Sequence, residues 1–253
     1  MAFIYPFFVR TRDKQLKAIE PKTSTRDTFH ATIMDTYDSV CNIKTRLGGK
    51  YLPGCHVMDG QKYVCMDELM NDINNNECIV YSFGIGGDWS FEDNIASMGC
   101  RVYAYDPTID HPEKRSENIS FKKIGVVGVS GSDKTYQNLD EILSENKHVN
   151  TKISYLKIDI EAHELTGLPI WLENGSLRNV EQIAMEVHLE PPEEKVTLEF
   201  FKTFKDLELI GNYRIFNWEA NNCWKNYNKD IKYFGLSEIV LKKIDPKNSC
   251  ITK

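Results

Sequence analysis

The 253-residue chain lacks several features that would assign it to a broad class of protein. No apolar run approaches the roughly 20 residues that a membrane-spanning helix needs, so we expect no membrane span. Basic residues are not in excess, with 31 Lys and Arg against 37 Asp and Glu. This balance argues against nucleic acid as the main partner, because phosphate binding needs a basic surface. There is no internal repeat or low-complexity tract, and 41% hydrophobic with 27% charged residues indicates a globular protein.

The seven cysteines contain no C-x-x-C pair, so the spacing of a zinc finger is absent. Their odd number leaves at least one thiol unpaired. Cys78 and Cys100 lie in or beside apolar runs and are predicted to be small core residues. Cys41, Cys55 and Cys65 lie in a polar, glycine-containing stretch, where either a disulfide or free thiols are expected.

The pattern of the chain changes at residue 77. The first ten residues are apolar but contain Pro6 and lack a basic region, so they do not match a signal peptide. Residues 10–35 are polar and could hold one helix, and residues 36–70 carry glycines and turn signals. We therefore predict an N-terminal extension over residues 1–76 that packs on a domain of residues 77–245, with a C-terminal tail over 246–253.

Within this domain, apolar runs of strand length alternate with amphipathic stretches. The predicted strands are 78–83, 101–105, 119–129, 153–160, 180–189, 213–218 and 236–242. The predicted helices are 90–98 with Ser90 as N-cap, one that begins near 138, 164–172, and one opened by Pro191-Pro192. This alternation predicts an α/β fold with helices on both faces of a mostly parallel sheet. The two final strands have no helix between them, which is the class I methyltransferase pattern: a Rossmann-like, seven-stranded sheet whose last strand is antiparallel.

A glycine-rich turn follows the first of these strands. Gly84, Gly86 and Asp88 lie between the strand and the next helix, where a turn of this kind can bind a ligand at the carboxyl edge of the sheet. The alternative is a tight turn with only a structural role. The spacing is not G-x-G-x-x-G, which makes a dinucleotide less expected than another nucleoside.

Asp106 ends the second strand, about 20 residues after the glycines. A carboxylate at this position can accept hydrogen bonds from both hydroxyls of a ribose. The alternative is an aspartate that begins a turn before Pro107. Its order after the glycine turn favours ribose binding.

The fourth strand ends in a polar stretch that contains Asp159, Glu161, His163 and Glu164. Carboxylates and an imidazole at this edge could bind a metal or act as a general base. A solvated polar loop is the alternative. The polar stretch lies at the edge of the sheet where a ligand must bind, and this position favours a functional site over a solvated loop.

The fifth strand carries Glu186 and His188, whose side chains point to the same face. Charged groups in an apolar strand are costly unless they are paired, so a buried Glu–His pair is one explanation. A shared site with Asp159, from the neighbouring strand, is the sharper one.

Several linked segments resemble the methyltransferase-like protein 24 family, which is related to FkbM-type S-adenosylmethionine-dependent methyltransferases. The similar segments are residues 80–92, 104–107, 155–161 and 184–189, with 46–49, 59–60 and 64–65 upstream. The resemblance covers roughly residues 40–245. Three positions depart from the pattern: Ser82 replaces an acidic residue, Asp88 a third glycine, and Ala162 a glycine before His163.

The resemblance implies a class I fold and S-adenosylmethionine as methyl donor. By position, the donor would be bound by Gly84, Gly86, Asp88, Asp106, Gly125 and Val126. Asp106 would hold the ribose and the two residues after the third strand would flank the adenine. Asp159, Glu186 and His188 would face the acceptor. The family analogy favours the secretory pathway, with the cytoplasm as the alternative.

We therefore predict an O-methyltransferase that acts on a hydroxyl of a small molecule or glycan. The predicted base is His188 or His163, and Asp159 and Glu186 would orient it or hold a divalent cation with His188. The first alternative is a non-catalytic binding protein that keeps the methyltransferase fold. The second is a nicotinamide-dependent oxidoreductase, which the terminal pair of strands argues against.

Overall fold

A computed structural model describes residues 40–54, 56–188, 194–220 and 236–245. The predictions made for residues 1–39, for Cys55 and for Pro191-Pro192 lie outside these residues. In chain order the elements are β1 (Lys44–Leu47), β2 (Lys50–Leu52), β3 (Val57–Asp59), β4 (Lys62–Cys65), α1 (Met66–Asn74), β5 (Ile79–Phe83), α2 (Ser90–Ser97), β6 (Arg101–Tyr105), β7 (Ile119–Lys122), β8 (Gly125–Val127), β9 (Tyr136–Asn138), α3 (Leu139–Glu145), β10 (Tyr155–Ile158), α4 (Glu164–Glu173), β11 (Gln182–His188), α5 (Glu194–Leu209), β12 (Tyr213–Ala220) and β13 (Leu236–Lys243).

The central sheet has seven strands in the order β12-β13-β11-β10-β5-β6-β7. The strands from β11 to β7 in this order pair in parallel. β13 is antiparallel to both of its neighbours, β11 and β12. The predicted sheet, with its antiparallel last strand, is therefore confirmed.

Alternate side chains of the strands build two separate cores on the two faces of the sheet. On one face, residues such as Tyr81 and Leu156 pack with α3, α4 and α5. On the other face, residues such as Val80 and Tyr155 pack with α1, α2, β1 and β4. The carboxyl ends of the parallel strands meet at one edge, where both the glycine turn after β5 and the polar ends of β10 and β11 lie.

The segment before the sheet is more regular than the sequence analysis predicted. From the sequence alone, only glycines and turn signals were noted in residues 36–70, whereas β1 and β4 form an antiparallel pair and α1 follows directly. Gln182 of β11 fastens β4 to the sheet: its side-chain oxygen accepts from Cys65 N at 2.8 Å and its amide donates to Cys65 O at 2.7 Å. The hydroxyl of Tyr155 donates to Tyr63 O at 2.6 Å. The segment thus covers the face of the sheet that carries Glu186, while the division at residues 76 and 77 stays a prediction.

Among the residues that the structure describes, four cysteines form two disulfides. Cys41 pairs with Cys65, which is one of the alternatives left open for that stretch. Cys78 and Cys100 are buried, as predicted, but they are joined to each other. The prediction of simple core residues missed this bond because it did not use strand pairing. Each cysteine directly precedes one of two neighbouring parallel strands, β5 and β6, which places them side by side.

The third and fourth strands differ from their predicted bounds more than the others do. The third strand was predicted as residues 119–129, but β7 ends at Lys122 and the chain turns there, with Ile124 N donating to Lys122 O at 2.8 Å. The following residues form β8, which pairs with β9 outside the main sheet. The fourth strand is also shorter than predicted. Among the described residues, no helix has both the length and the apolar character needed to cross a bilayer.

Candidate active site

The glycine turn after β5 contains two kinds of glycine. Gly84 has φ of +79°, and a Cβ there would lie 1.6 Å from the carbonyl oxygen of Asp159. Gly84 is therefore required by the close approach of the ends of β5 and β10. Gly86 and Gly87 also have positive φ, +58° and +83°, but no atom lies within 4 Å of a Cβ at either position. Their backbone is open to a ligand, which packing alone does not explain.

Asp106, which follows β6, holds this turn in place. One of its carboxylate oxygens accepts from Ile85 N at 2.7 Å and Gly86 N at 2.9 Å. The other accepts from the backbone N–H and the hydroxyl of Thr108. Burial raises the pKa of Asp106, but these hydrogen bonds outweigh burial and lower it. Its role as a ribose ligand stays a prediction, and a ribose hydroxyl would have to share oxygens that already accept four bonds.

Asp88, at the position of the third glycine, shapes the start of α2. Its Oδ1 accepts from Ser90 N at 3.1 Å, and the Ser90 hydroxyl in turn accepts from Gly49 N at 2.6 Å. Ser90 is the first residue of α2 and not the predicted N-cap, which is Trp89; the Asp88 carboxylate makes a local turn bond to the first N–H of the helix. Asp88 Oδ2 is buried without a hydrogen-bond partner beside Gly60 of the β3–β4 turn.

The acidic residue that the family pattern places at Ser82 is supplied by a helix. The Ser82 hydroxyl donates to Glu92 Oε1 at 2.5 Å, and Glu92, on α2, is fully buried. Lys157 of β10 lies with its Nζ 3.6 Å from Glu92 Oε1 and donates to the carbonyl of Gly84. Sequence reasoning missed both charged residues. A lysine inside an apolar strand and a glutamate in the first turn after the glycines were the available signals.

A cluster of charged side chains lies at the same edge, on the face covered by β4. Glu186 and Glu238 are opposite each other on β11 and β13. The Lys62 side chain, from β4, is fully buried; it forms an ion pair with Glu238 and lies 3.5 Å from Asp159 Oδ2. Sequence reasoning missed Lys62 and Glu238, although the alternation of β4 places Lys62 on the buried side with Val64.

The proton affinities within this cluster diverge. Burial raises the pKa of Asp159, but the ammonium groups of Lys62 and Lys157 outweigh this effect and hold it below its usual range. Burial raises the pKa of Glu186, and the charge of Asp159 raises it further. The pKa values of these two neighbouring carboxyls are thus moved in opposite directions, that of Asp159 downward and that of Glu186 upward. Groups with pKa values pushed apart in this way are typical of acid–base sites.

His188 lies beside this pair and is oriented by a buried glutamate. Glu164, on α4, accepts from the His188 backbone N–H at 2.8 Å, and its Oε1 lies 3.1 Å from His188 Nδ1. His188 Nε2 lies 3.6 Å from Glu186 Oε2 and 3.4 Å from Glu161 Oε2. Burial lowers the pKa of His188, but Glu164, Glu186 and Asp159 together raise it above its ordinary value.

His163 lies apart from the contacts of that cluster. It precedes α4, is exposed, and packs against Tyr136 with ring centroids 6.0 Å apart. The Tyr136 ring covers Gly125, where a Cβ would lie 2.5 Å from it. Val126 points into the core and is 2% exposed, and Gly125 is also buried, beneath the Tyr136 ring. The sequence analysis did not identify Tyr136.

The loop between Asp159 and α4 has a strained backbone. Glu161 and Ala162 have φ of +53° and +72°, in the left-handed region that favours glycine. Ala162 is the position where the family pattern has glycine, so the chain keeps the conformation without the residue best suited to it. Strain of this kind is concentrated at functional sites.

A divalent cation does not fit the cluster well. Asp159, Glu186 and His188 each offer a ligand atom, all within 4.8 Å of one another. A metal, however, needs deprotonated carboxylates and a neutral imidazole. The Lys62 ammonium already lies against Asp159, and the carboxylates around His188 favour its protonated form. The predicted metal role is therefore not supported by these contacts.

A seven-stranded sheet in this order, with a glycine turn after β5 and an acidic residue after β6, defines the class I methyltransferase architecture. A family model described as "Methyltransferase domain" (Methyltransf_22) matches residues 9–235, and the chain belongs to this family. The relatives include "Probable methyltransferase-like protein 24" of Homo sapiens, 27% identical over 174 residues, and its Rattus norvegicus counterpart, 28% identical over 174 residues. The predicted resemblance to that family is confirmed, while its relation to FkbM-type enzymes stays a prediction.

The shared region with these relatives covers 61% of this chain and 47% of each relative, so the chain spans about half their length. Among solved structures, SMU.1697c, a putative methyltransferase from Streptococcus mutans in complex with SAH, is similar with a TM-score of 0.36 and 12% identity. That similarity covers 67% of this chain and 88% of the other. A similarity at this level carries no argument about function.

Proposed function

We propose that the protein is an S-adenosylmethionine-dependent methyltransferase that acts on a hydroxyl acceptor. One observation carries the proposal: a Cβ at Gly84 would lie 1.6 Å from Asp159 O, so the glycine turn is joined directly to the charged cluster. A nucleoside bound at the turn would thus lie next to side chains with divergent pKa values. Membership of the methyltransferase-domain family supports this interpretation.

The donor side of the site is formed by the open backbone of Gly86 and Gly87. Asp106 fixes the amides of this turn, and the residues around the buried Gly125 and the Tyr136 ring that packs on it form the proposed adenine edge. When bound, the donor supplies an electrophilic methyl group on a sulfonium. The residues of the chain align the acceptor and exclude water, which are the main contributions expected in such a transfer.

The acceptor hydroxyl must lose its proton as the methyl group is transferred. Two groups at the edge can receive that proton: Asp159, which is ionised, and His188 once it is neutral. Because Glu164 contacts His188 Nδ1, the ring presents Nε2 toward Glu186. We propose His188 Nε2 as the base, with Glu186 and Asp159 holding the acceptor in place. Activity should then rise with pH as His188 loses its proton.

A sugar or glycan acceptor is proposed from the family resemblance. The two disulfides support passage through an oxidising compartment, because such bonds are rare in cytosolic proteins. Glycans modified on their hydroxyls are among the acceptors that the secretory pathway would offer.

A non-catalytic binding protein is the second candidate, and one observation favours it. Asp106, the predicted ribose ligand, is 2% exposed and accepts four hydrogen bonds from the protein itself. A protein of this kind would bind the donor or its product without transferring a methyl group.

Transfer of a labelled methyl group from S-adenosylmethionine to a panel of hydroxyl acceptors, including glycans, tests the proposal. The wild-type protein should label at least one acceptor, and His188→Ala and Asp159→Ala should each reduce the rate by 100-fold or more, about the contribution of a general base. His56→Ala, at an exposed histidine of the β2–β3 turn, is the matched control and should keep the rate. Full activity in both site variants would refute the assignment.

A further inference from the structure

The segment that precedes the sheet contributes a buried cation to the candidate active site. We infer that Lys62 is the resident cation of this site, in the position where a divalent metal would otherwise act, and that methyl transfer needs no metal. The activity test of this inference rests on the proposed function, whereas the metal-binding test does not.

Lys62 is held by two acidic partners. Its side chain is 0% exposed, and its Nζ forms an ion pair with Glu238 and lies 3.5 Å from Asp159 Oδ2. An ammonium has three N–H donors, so it can satisfy both partners at once. Glu238 is itself largely buried, and its second oxygen has no hydrogen-bond partner.

The strands explain why a cation is needed here. Glu186 and Glu238 are directly opposite each other on adjacent strands, where two negative charges would repel. Asp159 follows β10, the neighbour of β11 on its other side, and adds a third carboxyl. Unpaired buried carboxylates are costly, and the Lys62 ammonium lowers that cost for the whole cluster.

Contacts of β4 that lie outside the charged cluster fix the position of Lys62. β4 ends at Cys65, which is joined by a disulfide to Cys41 and clamped on both backbone groups by Gln182. These anchors lie three residues from Lys62. They hold β4 against β11 and β13, so the ammonium reaches Asp159 without exposure to solvent.

This arrangement leaves no place for a divalent ion. An ion bound by Asp159, Glu186 and His188 would stand beside the Lys62 ammonium, and the two positive charges would repel across a poorly solvated gap. Lys62 therefore acts as a positioning residue: its ammonium lies against Asp159 Oδ2 and holds that carboxylate beside Glu186 and His188.

The first test is a titration of the wild-type protein with Mn²⁺, in which electron paramagnetic resonance detects binding of the ion. We expect no binding up to millimolar Mn²⁺ and unchanged methyl transfer in EDTA. Micromolar Mn²⁺ binding, or activity lost in EDTA and restored by a divalent ion, would overturn the inference. The Mn²⁺ titration does not depend on activity, so its failure is distinct from a failure of the proposed function.

The second test compares Lys62→Met, Lys62→Arg and Lys44→Met. Lys44 lies on β1 and donates to the carbonyl of Phe216, so it reports on anchoring of the same segment outside the cluster. Lys62→Met should reduce kcat by 100-fold or more while S-adenosylhomocysteine still binds, and Lys62→Arg should restore at least a tenth of the wild-type kcat. Lys44→Met should keep kcat. Equal kcat losses in the two methionine variants, or no rescue by arginine, would show a merely structural role.

Discussion

Replacing Gly84 by alanine tests the link between the glycine turn and the charged cluster. A Cβ at Gly84 would lie 1.6 Å from Asp159 O, so the ends of β5 and β10 must separate by more than about 1 Å. The positive φ of +79° adds about 1–2 kcal/mol for a residue with a Cβ, and overpacking of a rigid backbone contact adds about 1–3 kcal/mol. We expect Gly84→Ala to lower the free energy of unfolding by about 2–5 kcal/mol.

Gly86→Ala is the matched control, because it has the same kind of φ but open space. No atom lies within 4 Å of its Cβ position, so we expect a loss of only about 1 kcal/mol. Urea denaturation monitored by circular dichroism measures the free energy of unfolding of both variants, and Gly84→Ala should lose about 1–4 kcal/mol more than Gly86→Ala. Equal losses in the two variants would refute the account of why Gly84 is a glycine.

Three further predictions follow from the site and its surroundings. The pKa of His188 is raised in the folded protein, so its protonated form stabilises the fold fully below pH 6.5, and this stabilisation is lost as pH rises through the raised pKa. Glu164→Gln should lower the pKa of His188, which a histidine NMR titration measures. An unchanged pKa would contradict the role of Glu164. Replacing Cys78 and Cys100 by serine should lower the free energy of unfolding by about 3 kcal/mol, since their disulfide closes a loop with a sequence separation of 22. Peptide mapping that finds both thiols free in the oxidised protein would exclude the disulfide. Ala162→Gly should leave stability unchanged or raise it by up to about 1 kcal/mol in urea denaturation, because φ there is +72°; a loss of 1 kcal/mol would show that the loop is not strained.

The fold could be predicted because its signals are local and periodic. The alternation of apolar runs and amphipathic stretches predicted the seven strands, and the absence of a helical pattern between the last two predicted strands indicated the antiparallel ending, which the strand pairing confirms. The same local signals failed before residue 77. There, short strands such as β1 and β4 depend on pairing with each other and on packing against the sheet, which no local pattern records.

The candidate site could be predicted only in part. Asp159, Glu186 and His188 were found because the ends of parallel strands share one edge, and the structure brings these three side chains together. Lys62 and Glu238 were missed because they reach the cluster from β4, which lies outside the central sheet, and from the antiparallel strand β13. Their partners are 97 to 176 residues away along the chain, so only the tertiary structure shows the contacts.

Asp106 shows how the place of a residue in the fold can be predicted while its contacts are not foreseen. Its place after β6 indicated a functional carboxylate, and the structure puts it directly under the glycine turn. The hydrogen bonds that it accepts from Ile85 and Gly86 depend on the path of that turn, which the sequence does not specify.

Isothermal titration with S-adenosylhomocysteine, the product of the proposed reaction, tests the central claim most directly. We predict micromolar binding of S-adenosylhomocysteine by the folded protein, weakened in Gly86→Ala, and no comparable binding of NAD. Absence of S-adenosylhomocysteine binding by folded protein, or preferential binding of NAD, would contradict the account.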